Sequence, residues 1–274
     1  MKRILIIGAS GFVGNYLFSQ LKSITKYIQF GTNHKSYNRN LISLDYTNSI
    51  NFLSILSNIN PDVIIWSAGI KDFNLLENDH ALATNNNVKP IETIVEFINK
   101  ANKKIHFIFI SSDYVFNGEK GNYNDKQIPN PNTIYGKSKL IAEKIIQKKI
   151  KFYSIIRVGA VFAKGSKFFD WLINELKNSF FVDLYDDIFS PTPLETLFLA
   201  IQRCIEMNLY GIFHISGNKK ISRYDLGIEI KSFLPNCKTL VRKVKKNPQK
   251  AIDRSLKRSS EFSDFKNLEL KEIL

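Results

Sequence analysis

The sequence has few of the features that mark a secreted, metal-binding or membrane protein. Its 274 residues include 2 cysteines, Cys204 and Cys237, with no CxxC spacing and no cluster of histidines, so neither a disulfide framework nor a zinc site is predicted. No window holds the ~18 unbroken apolar residues that a membrane helix needs. The apolar start, RILIIG, is too short for the core of a signal peptide and ends in a glycine turn. We therefore expect a cytoplasmic protein with no bound metal and no membrane partner.

Acidic residues are also scarce relative to basic ones. The chain has 39 Lys and Arg against 25 Asp and Glu, a net charge of +14, and much of the excess lies in residues 238–260, a segment that reads mainly as a loop. This segment could be a solvated surface or a wall that attracts an anionic small ligand such as a nucleotide diphosphate. Tyr and Phe do not interleave with the basic residues as they do on a surface that stacks bases, so no nucleic-acid partner is expected.

What the sequence does contain is a regular alternation of strands and helices. Apolar runs such as RILIIGAS, DVIIWSAG and IHFIFISS alternate with segments of helical length, which is typical of βαβ units in a parallel sheet buried on both faces. The predicted fold is therefore α/β, a Rossmann-type doubly wound parallel sheet with a smaller C-terminal lobe. We expect residues 1–160 to form the main domain, with 183–215 returning to it, and residues 161–182 and 216–274 to form the lobe.

A glycine turn joins the first predicted strand to the first predicted helix. In GASGFVG, Gly8, Gly11 and Gly14 have the spacing GxxGxxG. The first glycine permits a tight turn, the second lets the backbone approach a pyrophosphate, and the third lets helix and strand pack closely, while the helix N-terminus attracts the anion. The main domain is therefore predicted to bind NAD or NADP. The residues of the turn expected to contact this cofactor are Gly8, Ser10, Gly11, Phe12 and Val13.

The end of the second predicted strand indicates which dinucleotide binds. An NAD site commonly has a carboxylate there for the ribose 2′-hydroxyl, whereas the sequence FGTNHKS has none. His34 and Lys35 could instead face a 2′-phosphate, so NADPH is favoured over NADH. Asp45 is expected to reach the adenine amino group. Ala68 and Gly69 are expected to pass close to the cofactor riboses, where a larger side chain would obstruct.

Three side chains with complementary chemistry follow along the chain. Tyr135 and Lys139 are four residues apart on a predicted helix, which places both on one face. A phenol has a pKa of about 10, and we expect the Lys139 ammonium and an oxidised nicotinamide to lower it. Ser112, at the carboxyl end of a predicted strand, would donate to the same carbonyl oxygen, with Ser111 as the alternative. Tyr135 would act as the proton donor, and Lys139 would also hold the nicotinamide ribose.

Together these motifs resemble the extended short-chain dehydrogenase/reductases, and within them the dTDP-4-dehydrorhamnose reductase family. The resemblance covers nearly the whole chain. It is carried by GASGFVG, SSDYVFNG, YGKSKLIAE, DDIFSPTPLETL and GIFHISG. It implies NAD(P)H-dependent reduction of a nucleotide-linked 4-keto-6-deoxy sugar, with a nucleotide-diphosphate sugar as the substrate, and a homodimer is compatible with it.

The resemblance also implies roles for residues outside the catalytic set. Asn87 falls where the family has a structural or proton-relay asparagine. The smaller lobe is the expected substrate-binding lobe. The residues expected on the substrate side are Asp113, Arg157, Ser190 and Arg254.

Several positions depart from the family pattern. Lys250 and Ala251 stand where the family has Arg-Pro, and Ala163 replaces a usual glycine. Lys71 and Asp72 lie in a loop that usually has small residues. The identity of the sugar therefore stays open. Two alternatives remain as well: a nucleotide-sugar epimerase or dehydratase of the same superfamily, and a non-catalytic regulatory subunit that binds the dinucleotide.

Overall fold

The computed structural model of the chain describes residues 1–34, 39–245, 252–266 and 272. Lys35, Lys250 and Ala251, which the sequence analysis singles out, lie outside these ranges. The chain divides into two compact units, the first made of Met1–Val115, Pro129–Arg157 and Phe198–Phe213, the second of Phe116–Ile128, Val158–Leu197 and His214–Leu274. The sequence predicts that residues 183–215 return to the main domain. In the structure, the segment that returns to the first unit is Phe198–Phe213, and Phe116–Ile128 belongs to the second unit.

Strands and helices alternate along most of the chain. The strands are β1 (Lys2–Ile7), β2 (Tyr27–Asn33), β3 (Ile42–Ser43), β4 (Val63–Trp66), β5 (His106–Ser112), β6 (Tyr153–Val158), β7 (Val161–Phe162), β8 (Phe181–Tyr185), β9 (Ile188–Phe189), β10 (Thr192–Pro193), β11 (Gly211–Ile215), β12 (Ile221–Ser222) and β13 (Leu240–Val244). The α-helices are α1 (Phe12–Lys22), α2 (Ser49–Ile59), α3 (Phe73–Asn78), α4 (His80–Ala83), α5 (Lys89–Lys100), α6 (Ile134–Lys149), α7 (Lys167–Asn178), α8 (Leu194–Met207) and α9 (Arg223–Ser232). Within the described ranges, no helix has the length and apolar character needed to cross a membrane.

Seven strands form one sheet in the order β11-β6-β5-β4-β1-β2-β3. The pairings of β1 with β2 and β4, of β2 with β3 and of β4 with β5 are parallel. The chain order reverses between β1 and β4, so the sheet is doubly wound, which confirms the Rossmann-type fold predicted from the sequence. In such sheets, ligands bind outside the carboxyl ends of the strands at the point of reversal. The loops after β1 and β4 are therefore the place to look for a ligand site.

The central strands are buried on both faces of the sheet. Every residue of β4 and β5 is buried, which explains why these strands are continuous apolar runs rather than alternating ones. Leu5, Ile64 and Phe107 of the sheet share one core cluster with Phe52 of α2 and Ile146 of α6. Burying an apolar side chain of this size contributes about 1.5–3 kcal/mol. Helix α6, which carries the Tyr–Lys pair, is therefore anchored to the sheet by its apolar face.

The second unit has a core of its own and a strand that the sequence analysis did not predict. Leu172 of α7 and Leu226 of α9 pack with Val182 of β8 and Val241 of β13. β13 lies inside the basic segment 238–260 and runs parallel to β8. The prediction of a loop misses this strand, in which Val241 is buried in the core while the next residue, Arg242, faces the other way and is exposed.

A buried histidine lies at the amino-terminal end of β5. His106 is 5% exposed, and its Nε2 atom lies 2.7 Å from Oγ of Ser154 on the neighbouring β6. The Ser154 hydroxyl donates to the carbonyl oxygen of Leu209, so its oxygen accepts the hydrogen that His106 carries on Nε2. Burial, with smaller contributions from the charges of Lys2 and Lys104, lowers the pKa of His106 to about 4.

We expect this histidine to make stability depend on pH below neutrality. The pKa of His106 is about 4 in the folded chain against an ordinary 6.5, so the unfolded chain binds the proton first as the pH falls. The free energy of unfolding should therefore decrease from about pH 6.5 to about pH 4, by up to about 3 kcal/mol from this group. Urea unfolding across this range should show a shallower decrease for His106→Gln, and equal slopes for the two proteins would contradict the assignment.

Candidate active site

The glycine turn after β1 has the close backbone approach of a dinucleotide site. Gly8 has a φ of +86°, which disfavours a side chain, and a Cβ atom there would lie 3.0 Å from Ala68 in the loop after β4. A Cβ atom on Gly14 would lie 2.2 Å from the Gly8 carbonyl oxygen and 2.7 Å from Ser67 Oγ. α1 begins after Gly11, which has no side chain to cap the first N–H groups of the helix. The turn thus packs closely against the loop after β4 and leaves N–H donors at the start of α1 that suit the pyrophosphate of a nicotinamide dinucleotide.

The other residues predicted along the cofactor lie beside this turn. Ser10 and Phe12 are exposed and Val13 is half-buried, so the start of α1 presents all three at the surface. Gly69 directly follows Ala68 at the end of the loop after β4. Contact of these residues with the cofactor stays a prediction.

A cavity of about 480 Å³ lies beside the end of β2. Two of the predicted cofactor residues, His34 and Asp45, line it. The Asp45 carboxylate accepts hydrogen bonds from the Thr47 hydroxyl at 2.6 Å and the Thr47 backbone N–H at 2.9 Å. These bonds, the hydroxyl first, lower the pKa of Asp45, so its carboxylate is charged and can accept from an adenine amino group. The remaining residues around the cavity are Tyr46, Leu82, Asn85, Asn86 and Lys89.

The two predicted catalytic hydroxyl groups converge where β5 ends. Tyr135, in the first turn of α6, and Ser112, the last residue of β5, are both buried, and the Ser112 hydroxyl lies close enough to influence the pKa of Tyr135. The Ser112 hydroxyl donates to the Asp113 carboxylate at 2.9 Å and accepts from the Tyr114 backbone N–H at 3.2 Å. The Ser112 proton is thus directed to Asp113 in the absence of a substrate oxygen.

The neighbouring Ser111 has a different partner. Its hydroxyl donates to the carboxylate of Glu143 on α6 at 2.5 Å. Ser111 is thus held by a carboxylate of α6, whereas Ser112 is held by Asp113 and the Tyr114 N–H. Of the two serines that the sequence left open, these contacts favour Ser112 as the residue next to a substrate oxygen.

Lys139 lies one helical turn after the tyrosine and is also buried. Its Nζ atom donates to the carbonyl oxygen of Ile110 at 2.8 Å and lies 4.5 Å from the ring centre of Phe109. Burial lowers the pKa of Lys139 to about 7, while the charge of Glu143 raises it and that of Lys71 lowers it further. The amine is thus close to half-protonated at neutral pH, so small changes in its surroundings change its charge.

The pKa of Tyr135 moves in the direction opposite to the one expected from the sequence. Burial raises it above the ordinary value, the nearby Ser112 hydroxyl lowers it, and the charge of Asp113 raises it further. Lys139 does not lower the pKa of Tyr135 as expected, because its amine donates to a backbone carbonyl and is itself only partly charged. Tyr135 is therefore a protonated phenol at neutral pH, which is the form that a proton donor needs.

Asn87 ties the loop after β4 to the catalytic helix. It lies in a π-helical turn, Thr84–Val88, between α4 and α5, a feature that is frequent at functional sites. Its buried amide accepts from the Ile70 N–H at 2.9 Å, donates to the Ile70 carbonyl oxygen at 3.1 Å and donates to Ser138 Oγ at 3.1 Å. Of the two roles that the family resemblance allows, these contacts favour the structural one.

Arg157, predicted on the substrate side, is buried in an ion pair. Its side chain is 2% exposed and binds the carboxylate of Glu143, which is 0% exposed, with 2.7 Å between Nη2 and Oε2 and 3.1 Å between Nε and Oε1. A guanidinium enclosed in this way has no surface to offer to a ligand. We therefore propose a structural role for Arg157 in place of the predicted substrate contact.

The other residues predicted on the substrate side, Ser190 and Arg254, belong to the second unit, where both are buried. The Ser190 hydroxyl donates to the Leu256 carbonyl oxygen at 3.3 Å. Arg254 donates from Nε to the Phe116 carbonyl oxygen at 3.1 Å and from Nη2 to that of Asn117 at 3.3 Å. These contacts hold backbone segments of the unit in place, and a substrate contact stays a prediction for both residues.

Two residues of the site, Glu143 and Lys89, were not predicted from the sequence. Glu143 follows Lys139 by four residues, as Lys139 follows Tyr135. That spacing could have indicated that Glu143 lies on the same helix face. Lys89 belongs to no motif, and only the fold brings it to the same cavity as His34.

Reduction of a carbonyl group needs a nicotinamide held beside a proton donor, and the glycine turn, the cavity and the protonated Tyr135 fit these requirements. The protein is an NAD(P)-dependent oxidoreductase of the short-chain dehydrogenase/reductase type. Its chain belongs to the family described as the RmlD substrate binding domain, whose model matches residues 1–273.

Individual relatives of the chain include reductases and a subunit of another enzyme. A dTDP-4-dehydrorhamnose reductase from Aggregatibacter actinomycetemcomitans is 29% identical over 239 residues, which are 84% of this chain and 78% of that protein. Methionine adenosyltransferase 2 subunit beta from Xenopus tropicalis is 25% identical over 240 residues, 82% of this chain and 70% of that protein. The structure of a dTDP-4-dehydrorhamnose reductase from Bacillus anthracis str. Ames in complex with NADP matches with a TM-score of 0.83 and 26% identity, over 94% of this chain and 91% of that one.

The buried amine should leave a mark on stability at alkaline pH. Lys139 has a pKa of about 7 in the folded chain against 10.5 ordinarily, so between these values the unfolded chain binds more protons. The free energy of unfolding should therefore rise with pH above about 7, by at most about 1.4 kcal/mol per pH unit, until the raised pKa of Tyr135 opposes the trend above about pH 10.

Urea unfolding at a series of pH values tests this expectation with Lys139→Met, which removes the titrating group. The variant should be more stable than the wild-type protein near neutral pH, and its advantage should shrink as the pH rises. Lys100→Met, which removes an exposed lysine on α5, is the matched control and should keep the wild-type slope. A wild-type slope in Lys139→Met would show that the amine is not the titrating group.

Proposed function

We propose that the protein reduces the 4-keto group of a nucleotide-linked 4-keto-6-deoxy sugar with NADPH. The observation that carries this proposal is the convergence of the buried Ser112 and Tyr135 side chains at the end of β5, with the amine of Lys139 one helical turn away. The similarity to dTDP-4-dehydrorhamnose reductases supports the class of sugar.

The chemistry follows from the acidity of the groups at the end of β5. When bound, NADPH supplies the hydride that adds to the keto carbon. The carbonyl oxygen becomes an alkoxide, a stronger base than a phenolate, so Tyr135 transfers its proton to this oxygen and the product is an alcohol. The Ser112 hydroxyl turns from Asp113 to the same oxygen and stabilises its developing charge. Lys139 in its ammonium form offsets the phenolate that remains on Tyr135 until that residue regains a proton from solvent.

We further propose that the cavity after β2 selects NADPH. His34 and Lys89 line it together with Asp45, and the last residue of β2 is Asn33, so β2 does not end in the carboxylate that commonly holds a 2′-hydroxyl. In this proposal Asp45 accepts from the adenine amino group, while the two basic residues make charge-assisted hydrogen bonds to the 2′-phosphate. The NADP complex of the Bacillus anthracis reductase supports this choice of cofactor.

On the substrate side we propose contacts from Asp113, Ser190 and Arg254. Asp113 has the most direct support, because its carboxylate already holds the hydroxyl of Ser112. The proposed partner is a nucleotide-diphosphate sugar, whose negative charge suits a chain with a net charge of +14. We place this activity in the cytoplasm, as the sequence leads us to expect, and a homodimer is compatible with it.

The two alternative functions make different demands on the site. The similarity to methionine adenosyltransferase 2 subunit beta favours a non-catalytic subunit, but such a subunit does not need a buried phenol with a proton to transfer. An epimerase or dehydratase of this superfamily returns its cofactor unchanged at the end of each cycle, so it would not consume NADPH in proportion to the sugar. Consumption of NADPH in proportion to the sugar therefore separates the reductase from both alternatives.

The reductase proposal is tested by following NADPH absorbance with a panel of nucleotide-linked 4-keto-6-deoxy sugars. At least one sugar should be reduced, and Tyr135→Phe should lower kcat by about 10²–10⁴-fold because the proton donor is lost. Ser112→Ala should lower kcat by about 10²-fold through the loss of charge stabilisation. Tyr185→Phe, at a half-exposed tyrosine of the second unit, is the control and should change kcat by less than about twofold. The proposal is wrong if no sugar of the panel consumes NADPH, or if Tyr135→Phe keeps the wild-type rate.

The role of the cavity is tested by binding, without any turnover. The wild-type protein should bind 2′,5′-ADP more tightly than 5′-AMP in calorimetry, because the extra phosphate meets His34 and Lys89. Lys89→Ala should weaken 2′,5′-ADP binding by about tenfold and leave 5′-AMP binding almost unchanged. Lys100→Ala, at the other end of α5, should change neither affinity. Equal affinities for the two nucleotides in the wild-type protein would rule out the proposed selection.

A further inference from the structure

Helix α6 binds three consecutive residues at the end of β5, each through a different side chain. The side chains come from residues 135, 139 and 143, whose four-residue spacing places them on one face of the helix. The contacts are Tyr135 with the Ser112 hydroxyl, Lys139 with the Ile110 carbonyl oxygen at 2.8 Å, and Glu143 with the Ser111 hydroxyl at 2.5 Å. The proposed chemistry uses the first two of these contacts and leaves the third without a function.

The third contact is costly to maintain, because it places a charge in the core. Glu143 is 0% exposed and needs Arg157 as a counter-charge, with both guanidinium nitrogens Nε and Nη2 within 3.2 Å of its carboxylate. A buried ion pair of this kind often stabilises a protein no better than apolar residues of the same volume. Stability alone is therefore a weak reason for a carboxylate one helical turn beyond Lys139.

We propose that Glu143 is a positioning residue for the reductase reaction, which holds the end of β5 in register with α6 and faces the amine of Lys139 with a negative charge. This inference rests on the proposed function for its catalytic meaning. Arg157 is part of the same device, since it neutralises the carboxylate from the neighbouring strand β6 and keeps it fixed.

The geometric part of the role follows from the strand. Ser111 and Ser112 are successive residues of β5, so holding the side chain of one sets the direction of the other. The Glu143 carboxylate is itself held by two bonds from Arg157, which leaves it little freedom to move with Ser111. A hydroxyl displaced by about 1 Å from its productive place can cost about 10²-fold in rate. Glu143 thus controls where Ser112 meets Tyr135 without touching the substrate.

The electrostatic part concerns the charge of Lys139. The groups that face its amine are Glu143 on its own helix, Lys71 from the segment after β4, and the Ile110 carbonyl and Phe109 ring from β5. Burial and Lys71 both favour the neutral amine, and the carboxylate of Glu143 favours the ammonium. Removal of the carboxylate should therefore leave Lys139 uncharged at a lower pH, with nothing to offset the phenolate of Tyr135.

The test compares Glu143→Gln with the double variant Glu143→Gln/Arg157→Met, which removes the unpaired guanidinium that could prevent the single variant from folding. Whichever of the two variants folds should show a kcat lower by about 10- to 10²-fold, with KM within about twofold of the wild-type value. The pH above which the rate falls should move down by about one unit. A folded double variant with the wild-type kcat and an unmoved pH profile would overturn the proposal, because Glu143 and Arg157 would then serve the fold alone.

A second variant separates geometry from charge. Ser111→Ala removes the hydroxyl that Glu143 holds but keeps the carboxylate beside Lys139. It should lower kcat while the alkaline limb of the pH profile stays where it is in the wild-type protein. An unchanged kcat in this variant would overturn the geometric part of the role.

A measurement without turnover keeps this inference distinct from the proposed function. NMR titration of the lysine side chains, with Lys139→Met to assign the signal, should place the midpoint of Lys139 about one pH unit lower in the double variant than in the wild-type protein. An unchanged midpoint would overturn the electrostatic role of Glu143. If the wild-type protein reduces no sugar of the panel, the proposed function fails while this titration still decides whether Glu143 sets the charge of Lys139.

Discussion

The site depends on how helix α6 is placed against the carboxyl end of β5. Three α6 side chains, four residues apart, contact three successive residues of the strand, so a shift of the helix by one turn would break all three contacts at once. The helix cannot make that shift freely, because Ile146 on the same helix is part of the core against the sheet. Packing of apolar side chains, worth about 1.5–3 kcal/mol each, thereby sets where Tyr135 lies relative to the end of β5.

Burial controls the chemistry of the groups placed in this way. Removal from water favours neutral forms, so the pKa of Tyr135 rises and that of Lys139 falls to about 7. The phenol keeps its proton until a stronger base appears, and the amine can change its charge at neutral pH. Glu143 is the exception, a charge kept in the core by Arg157. A protonated phenol, an adjustable cation and a fixed anion thus lie along one face of a single helix.

The parts of the site that could be predicted from the sequence are those that depend on short local motifs. The glycine turn, the serine at a strand end and the Tyr–Lys spacing each lie within a few residues, and the structure brings the last two together at the end of β5. Arg157 shows the limit of such patterns. A cation at the end of a strand looks the same in sequence whether it faces a ligand or a buried carboxylate 14 residues away, and here it faces Glu143. Lys89 shows the same limit, since no motif around Lys89 in the sequence connects this residue with His34.

The sequence by itself determined the doubly wound sheet, the position of the dinucleotide turn and the face of α6 that carries Tyr135 and Lys139. It could do so because hydrophobic periodicity and glycine spacing act over short stretches of chain. Only the tertiary structure gave Ser111 and Ser112 different partners, gave Arg157 its partner and set the direction of the Tyr135 pKa. Those outcomes depend on which distant residues meet and on how completely water is excluded, and neither quantity exists until the chain has folded.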